Sequence, residues 1–427
     1  MKPLALFLTH SPPRPSVSGD RIRTFHLMRE LRAAGWRTSL FSLVANDEPA
    51  GVEATLGDAA DSWVLVPRGV SRMQRAARLA GAVVRRRPFQ IDWFWSENAS
   101  AKSSAWLAEH PDAVVFVEQL FMYPYVPRSR LSMSVLDTQN LEAARIATMA
   151  AADSSRARRV VARLQVGPVR RFEQLAVARA GRVLAVSDEE ARAFERLAPG
   201  RVRLVPNGVD VAAAEPIGEP PPTSNLLYVG SMSYGPNIDA ISYFVDGVAP
   251  HLRSQRLNLT IVGSNPDPSV YRAASRSPIP TTVSGFVPDV TIHYRRSRMM
   301  IVPLRHGGGT RLKILEALAR GLPVVTTSAG CAGLGLTDAE VMIADAPAEF
   351  AAAIDRLVED DDLWRRLSIA GRRFVEQYYD WATIGRTFAT VMDELDAELR
   401  GARSVSAGTP TIKPGERHGR DSTEAGS

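Results

Sequence analysis

The chain has 427 residues, 45% apolar and 23% charged, with a net charge of +6 and a single cysteine, Cys331. This is ordinary globular composition and excludes a disordered or fibrous chain; one cysteine excludes an internal disulfide framework and any CxxC-type zinc or redox site. No apolar run reaches the 18 or so residues of a membrane-spanning helix, and the apolar stretch within Met1–His10 is too short for a signal peptide, so a soluble cytoplasmic protein is expected.

Apolar runs alternate with helical patterns through most of the chain, which predicts an α/β fold with parallel sheets. Leu4–Thr9 reads as a strand, followed by a Pro/Ser/Gly loop and a helix from about Arg21 to Ala34, stopped by Gly35. Further strands are expected at Thr38–Val44, Ser62–Val66, Ala113–Val117, Ser134–Leu136, Arg182–Val186 and Val202–Val205. Ser187-Asp188-Glu189-Glu190 has the form of a capping box, and Pro206-Asn207-Gly208 that of a turn. Residues 214–224 carry four prolines and read as a semi-rigid linker. The alternation then restarts, with strands at Leu226–Val229, Leu259–Val262, Thr281–Val283, Met299–Leu304, Pro323–Thr327 and Val341–Ala344. Helices are expected from Asn237, Ser269, Arg311 and Pro347. Two doubly wound domains follow, 1–213 and 225–379. A last helix at about 380–400 is expected to pack back on the first domain, ahead of a disordered tail at 401–427, rich in Gly, Ser, Thr and charge.

A pI near 9.6 suggests a polyanion partner until the charge is located. Lysine occurs only at 2, 102, 313 and 413. Residues 68–87 hold seven arginines and no acid, and 154–182 hold eight and one glutamate; these two stretches carry +14, which leaves −8 for the rest of a chain totalling +6. Both read as helices with interleaved apolar residues such as Val70, Met73, Leu79 and Val83. They suit an anionic membrane surface or, equally, a solvated helix face. No aromatic-interleaved basic motif points to nucleic acid.

Open α/β sheets bind ligands at the carboxyl ends of their strands, so residues just after strands carry most information. In Val302-Pro303-Leu304-Arg305-His306-Gly307-Gly308-Gly309-Thr310-Arg311-Leu312-Lys313, a strand feeds three glycines and then a helix that Thr310 can N-cap. Glycines admit a phosphate close to backbone N–H groups. Cations in a first helical turn oppose the macrodipole, so Arg311 and Lys313 point to an anionic ligand. Glu316, further along, suits a ribose hydroxyl. A second glycine loop, Gly230-Ser231-Met232-Ser233-Tyr234-Gly235, follows the first strand of the second domain. His10 ends the first strand and faces the expected cleft, and Ser18-Gly19-Asp20-Arg21 opens the first helix, where Asp20 or Ser18 suits an N-cap. His306 adjoins the glycine turn. Glu118 and Asp137 also end strands, with Asp137-Thr138-Gln139-Asn140 read as a helix cap and Asp360-Asp361-Asp362 as a turn and cap. Cys331 reads as a packed thiol.

Taken in order, these pieces resemble family 4 glycosyltransferases of the two-Rossmann GT-B type. The resemblance rests on Gly19-Asp20-Arg21-Ile22-Arg23, Val186-Ser187, Val205-Pro206-Asn207-Gly208-Val209-Asp210, Tyr228-Val229-Gly230-Ser231, Val283-Ser284-Gly285-Phe286-Val287, the Gly307–Glu316 block with Pro323-Val324-Val325, and Tyr379-Asp380-Trp381. The N-terminal segment is similar to exopolysaccharide-associated sugar transferases. The resemblance implies a retaining, metal-independent transfer with no cofactor. A nucleotide diphosphate sugar would be the donor and a hydroxyl of a glycan, lipid-linked or natural-product molecule the acceptor. It places the donor on Gly230, Ser231, Gly307, Gly308, Gly309, Thr310 and Glu316, the base near Phe286 and Val287, and Gly19 against the diphosphate from the other domain. Arg311 and Lys313, with Arg305 as a further candidate, are left to neutralise the diphosphate, since the family's Arg and Lys are absent from Gly230–Asn237. The family's first glutamate falls at Gly308. An epimerase or phosphorylase on the same fold, and a non-catalytic sugar-nucleotide-binding protein, remain open as alternatives.

Overall fold

The computed structural model describes residues 2–407 apart from 16–17, 46–47, 49–50, 69–71, 153–155, 255 and 308–309; for residues 72–76, 83, 149, 151–152 and 402–407 it describes the backbone alone. The first half is a sheet of β1 (Leu4–Thr9), β2 (Arg37–Val44), β3 (Ser62–Pro67), β4 (Val114–Glu118), β5 (Ser134–Asp137), β6 (Arg182–Ala185) and β7 (Val202–Leu204). Its strand order is β3-β2-β1-β4-β5-β6-β7, parallel throughout. The second half holds β8 (Asn225–Val229), β9 (Asn258–Val262), β10 (Thr281–Gly285), β11 (Met299–Val302), β12 (Val324–Thr326) and β13 (Met342–Ile343). They are ordered β10-β9-β8-β11-β12-β13 and are again parallel. Each sheet is a doubly wound Rossmann-like layer.

Parallel strands covered on both faces read as continuous apolar runs. Ala5, Leu6, Phe7 and Leu8 illustrate this, all at 0% exposure. Leu6 and Leu8 join the apolar layer on one side of the first sheet; Ala5 and Phe7 join the other, with Phe25, Leu27 and Met28 from the helix Gly19–Ala33. The second sheet has one continuous core around Leu226, Ile261, Ile301 and Val325.

Residues 214–224 have no regular secondary structure. The chain then completes the second half and returns. Its final helix, Trp381–Ala407, puts Trp381, Ile384, Phe388 and Met392 into the first-half core. A Cβ on Gly385 would lie 2.2 Å from Glu30 Cβ, so only glycine lets this helix come so close to Gly19–Ala33. The two crossings between halves touch: Val209 N donates to Tyr379 O (2.9 Å) and Trp381 N to Val209 O (3.2 Å). The helix runs seven residues into the segment expected as a tail; 408–427 lie outside the described residues. The arginine-rich stretches form the helices Arg72–Val84 and Arg156–Arg179, with Val70 outside the described residues.

Candidate active site

Strand order reverses between β1 and β4 in the first sheet and between β8 and β11 in the second, and such switch points are where doubly wound sheets bind ligands. In the second half, the loops after β8 and β11 enclose a pocket of about 210 Å³ lined by Gly230, Ser231, Tyr234, Asn237, Leu304, Gly307, Thr310, Arg311 and Lys313, among others. Lys313 reaches its inner wall from the first turn of the helix Leu312–Ala319. Its Nζ donates to Asn237 Oδ1 (2.9 Å) and Tyr228 Oη (3.2 Å), and lies 4.4 Å from the Tyr228 ring centroid. Burial, reinforced by the Arg311 charge and opposed by Glu316, lowers its pKa to about 7. A Cβ on Gly230 would stand 2.7 Å from Lys313 Nζ and 2.8 Å from Asn237 Nδ2, so the glycine after β8 makes room for the ammonium.

Arg311 is 8% exposed, and its Nη2 donates to Gly307 O (2.8 Å). Burial lowers its pKa. Buried Arg311 and half-buried Lys313 thus stand beside a helix start that no side chain caps, where the helix dipole favours negative charge. One turn on, Glu316 Oε2 accepts from Tyr294 Oη (3.1 Å), and burial raises its pKa against that bond. Phe286, after β10, is 74% exposed beside Gly285 at φ +69°; Val287 is partly buried against the core.

The first-half switch point is acidic. His10 Nδ1 lies 2.9 Å from Glu118 Oε2 and its Nε2 3.2 Å from Asp20 Oδ2, while its backbone N–H donates to Glu118 (3.1 Å). Glu118 Oε1 accepts from Thr24 Oγ1 (3.0 Å), and Phe94 and Phe121 meet the imidazole edge-on. Burial disfavours the imidazolium, but Glu118 and Asp20 outweigh it and raise the His10 pKa to about 9. The same contacts hold Asp20 well below the ordinary carboxylate range although burial pushes it upward. The two acids thus favour the imidazolium, while burial raises the pKa of Glu118 itself.

The halves meet through a polar chain. Arg23, fully buried, forks onto the equally buried Asp137 (2.8–3.1 Å). Its Nη1 also donates to Pro206 O (2.9 Å) and Asn207 Oδ1 (3.1 Å). Asn207 Nδ2 then donates to Thr310 Oγ1 in the pocket wall (3.1 Å). The nearest atom to a Cβ built on Gly19 is Leu312 Cδ1, at 3.8 Å, so the N-terminal loop faces the helix that carries Lys313.

Several expectations change. Thr310 does not cap the helix: Arg311 occupies the N-cap position without a side-chain cap bond, and the Thr310 hydroxyl is engaged by Asn207. Asp137 caps nothing, because its carboxylate is taken by Arg23. Asp20 lies inside the first helix bonded to Ser18 and His10, and neither it nor Ser18 makes a side-chain cap. Arg305 is outside the pocket lining and pairs with half-buried Asp239 (Nε to Oδ2, 3.0 Å), stacking over Tyr243; His306 lines the pocket, with its Nδ1 3.7 Å from the same carboxylate. Gly308 and Gly309 lie outside the described residues. Gly230, Ser231, Gly307, Thr310, Arg311 and Lys313 line one pocket, whereas His10 belongs to the opposite cluster. Sequence reasoning missed Asn207 and Asn237 as polar anchors, and Glu118 as the partner of His10.

Two Rossmann-like halves joined by a short linker and a returning C-terminal helix define a GT-B fold. The chain belongs to the family 4-like glycosyltransferases: residues 17–213 match the family described as Glycosyltransferase Family 4 and residues 223–360 match Glycosyl transferases group 1. Glycogen synthase of Mycobacterium tuberculosis is 26% identical over 234 residues, which cover 51% of this chain and 54% of that protein; the chain spans about half the length of the curated relatives it matches. Among solved structures, sucrose-phosphate synthase from Thermosynechococcus elongatus superposes with a TM-score of 0.61 at 18% identity, covering 94% of this chain and 100% of that one. Anabaena HepE in complex with UDP and glucose superposes with a TM-score of 0.58 at 13% identity, covering 92% and 99%. At these identities the structural likenesses concern the fold. Among the described residues no helix is long and apolar enough to cross a membrane.

Proposed function

We propose that the protein transfers a sugar from a nucleoside diphosphate sugar to a hydroxyl of a glycan, lipid-linked or natural-product acceptor, at the cytoplasmic side of the cell. The observation that carries this reading is the pocket after β8 and β11, where half-buried Lys313 and buried Arg311 stand beside an uncapped helix start. Such a site suits the two charges of a diphosphate, and a diphosphate in turn restores the Lys313 ammonium that burial disfavours. Glu316 would accept from a ribose hydroxyl, and exposed Phe286 with the Val287 backbone would border the base. HepE, solved with UDP and glucose, supports a uridine donor as the first to try.

The chemistry asked of the protein is stabilisation of charge on the departing diphosphate as its bond to the anomeric carbon breaks. Oriented N–H groups and two cations supply that without reorganisation. The acceptor oxygen forms the new bond, and its proton passes to the leaving diphosphate. His10, held protonated by Glu118 and Asp20, is no base at neutral pH. That leaves the cluster to orient sugar or acceptor hydroxyls.

A thermal-shift series with UDP-, GDP-, dTDP- and ADP-sugars tests the donor, since a ligand of the folded state raises the melting temperature by mass action. The expected result is a rise with one nucleotide class that Lys313→Ala abolishes, together with nucleotide release once an acceptor is added. No rise with any of the four would overturn the donor assignment. Binding with conversion to an epimeric sugar nucleotide in the absence of acceptor would overturn transfer.

A further inference from the structure

A surface of the first half, apart from the cleft, has a composition that solvent alone does not explain. On the helix Arg156–Arg179 the exposed residues Arg156, Val160, Arg163, Leu164, Gly167, Arg170 and Arg171 recur every three or four positions. They form a single stripe that Leu175 extends, about 30 Å long at 1.5 Å per residue. The acid of this helix, Glu173, is buried and accepts from Glu142 N (2.7 Å), so the stripe presents no carboxylate. None of its four arginines has an ion-pair partner among the described residues. Soluble helix faces ordinarily intersperse acids three or four residues away. Phe89 N donates to Gln165 Oε1 (2.7 Å), on the buried side of the same helix midway along the stripe, which ties the segment before Phe89 to this helix. That segment adds exposed Arg85, Arg86 and Arg87 and a valine, Val84, that is 83% exposed.

We propose that this face docks the protein on an anionic lipid bilayer. The arginines meet head-group phosphates, while Val84, Val160, Leu164 and Leu175 enter the boundary between head groups and acyl chains. The aliphatic side chains decide between a bilayer and a soluble polyanion. Val160 and Leu164 are 56% and 54% exposed within the cationic stripe, where a dissolved polyanion would leave them wet and an interface covers them. The proposal is independent of the donor reading, because it concerns a surface that shares no residue with the pocket.

The test is co-sedimentation of the full chain with vesicles of phosphatidylcholine alone and of phosphatidylcholine with phosphatidylglycerol, at low and high salt. Binding is expected only to the anionic vesicles, at least about tenfold weaker at high salt. Arg163→Glu/Arg170→Glu/Arg171→Glu should weaken it by a further factor of about ten or more. These side chains are exposed, so the variant should keep the wild-type melting temperature. Val160→Ser/Leu164→Ser should weaken vesicle binding several-fold while leaving its salt dependence in place. Equal binding to neutral vesicles, or binding to neither, overturns the proposal. So does a Val160→Ser/Leu164→Ser variant that binds anionic vesicles as the wild type does, since a purely electrostatic contact would then suffice.

Discussion

Both sheets reverse their strand order once, and each reversal opens a crevice between the same two topological positions, β1 and β4 in the first half, β8 and β11 in the second. The first crevice holds one imidazolium clamped by two carboxylates; the second holds an ammonium and a guanidinium with no carboxylate in ion-pair contact with the ammonium among the described residues. Backbone topology thus fixes where a ligand sits, and the few residues after each strand decide its charge. The first crevice pairs its imidazole with two carboxylates of its own. The second sets a half-buried ammonium beside a buried guanidinium at a helix start that no side chain caps.

The largest expected effect tests the element that ties the two crevices together. Asp137→Ala would strand the fully buried Arg23 charge, and losing one partner of such a pair costs about 3–5 kcal/mol; chemical denaturation should show the loss at every pH near neutrality. On the cationic side, Lys313→Ala and Arg311→Ala should each weaken binding of UDP, or of whichever nucleoside diphosphate binds, by roughly 10- to 100-fold, the loss of one charged contact. Unchanged affinity by calorimetry for both would remove the phosphate assignment.

Titration separates the crevices next. His10 has a folded pKa of about 9 against 6.5 for an exposed imidazole, so its contribution to stability is fully present below pH 6.5 and is lost as pH rises through 9. Lys313 runs the other way. Its folded pKa of about 7 lies below 10.5, the unfolded chain binds more protons in between, and stability rises with pH over that window. Glu118→Gln should flatten the first dependence and Lys313→Met the second, as read from unfolding free energies at pH 6, 8 and 9.5. Diphosphate binding at pH 8 should take up a fraction of a proton, visible as a calorimetric enthalpy that changes with buffer ionisation heat. The smallest effect on donor binding belongs to the bridge: Asn207→Ala, which removes the bond to Thr310 together with one from Arg23, should weaken donor binding only several-fold, about 1 kcal/mol.

Most of the fold was legible because parallel strands buried on both faces are short apolar runs bounded by turn signals. Leu4–Thr9 and the helix from Pro347 were placed to the residue. Glu97–Ala108 went unread, since its Ser- and Ala-rich sequence has little apolar periodicity. At the site, the glycine-rich turn and its two cations could be read because their types conflict with an ordinary helix start. The partners of His10 could not. Glu118 is 108 residues away, and only the adjacency of β1 and β4 brings the two together. Asp137 was misread for the same reason: local sequence offers it a cap, whereas tertiary structure offers it Arg23.

The paired crossings between the halves have a mechanical consequence. Because Val209 is hydrogen-bonded on both sides to the returning strand at Tyr379 and Trp381, the molecule is joined at one double-stranded joint rather than by two loose tethers. Any rotation of one half against the other is then expected to follow a single angular coordinate about that joint, which one distance between fluorophores placed on the two halves would test.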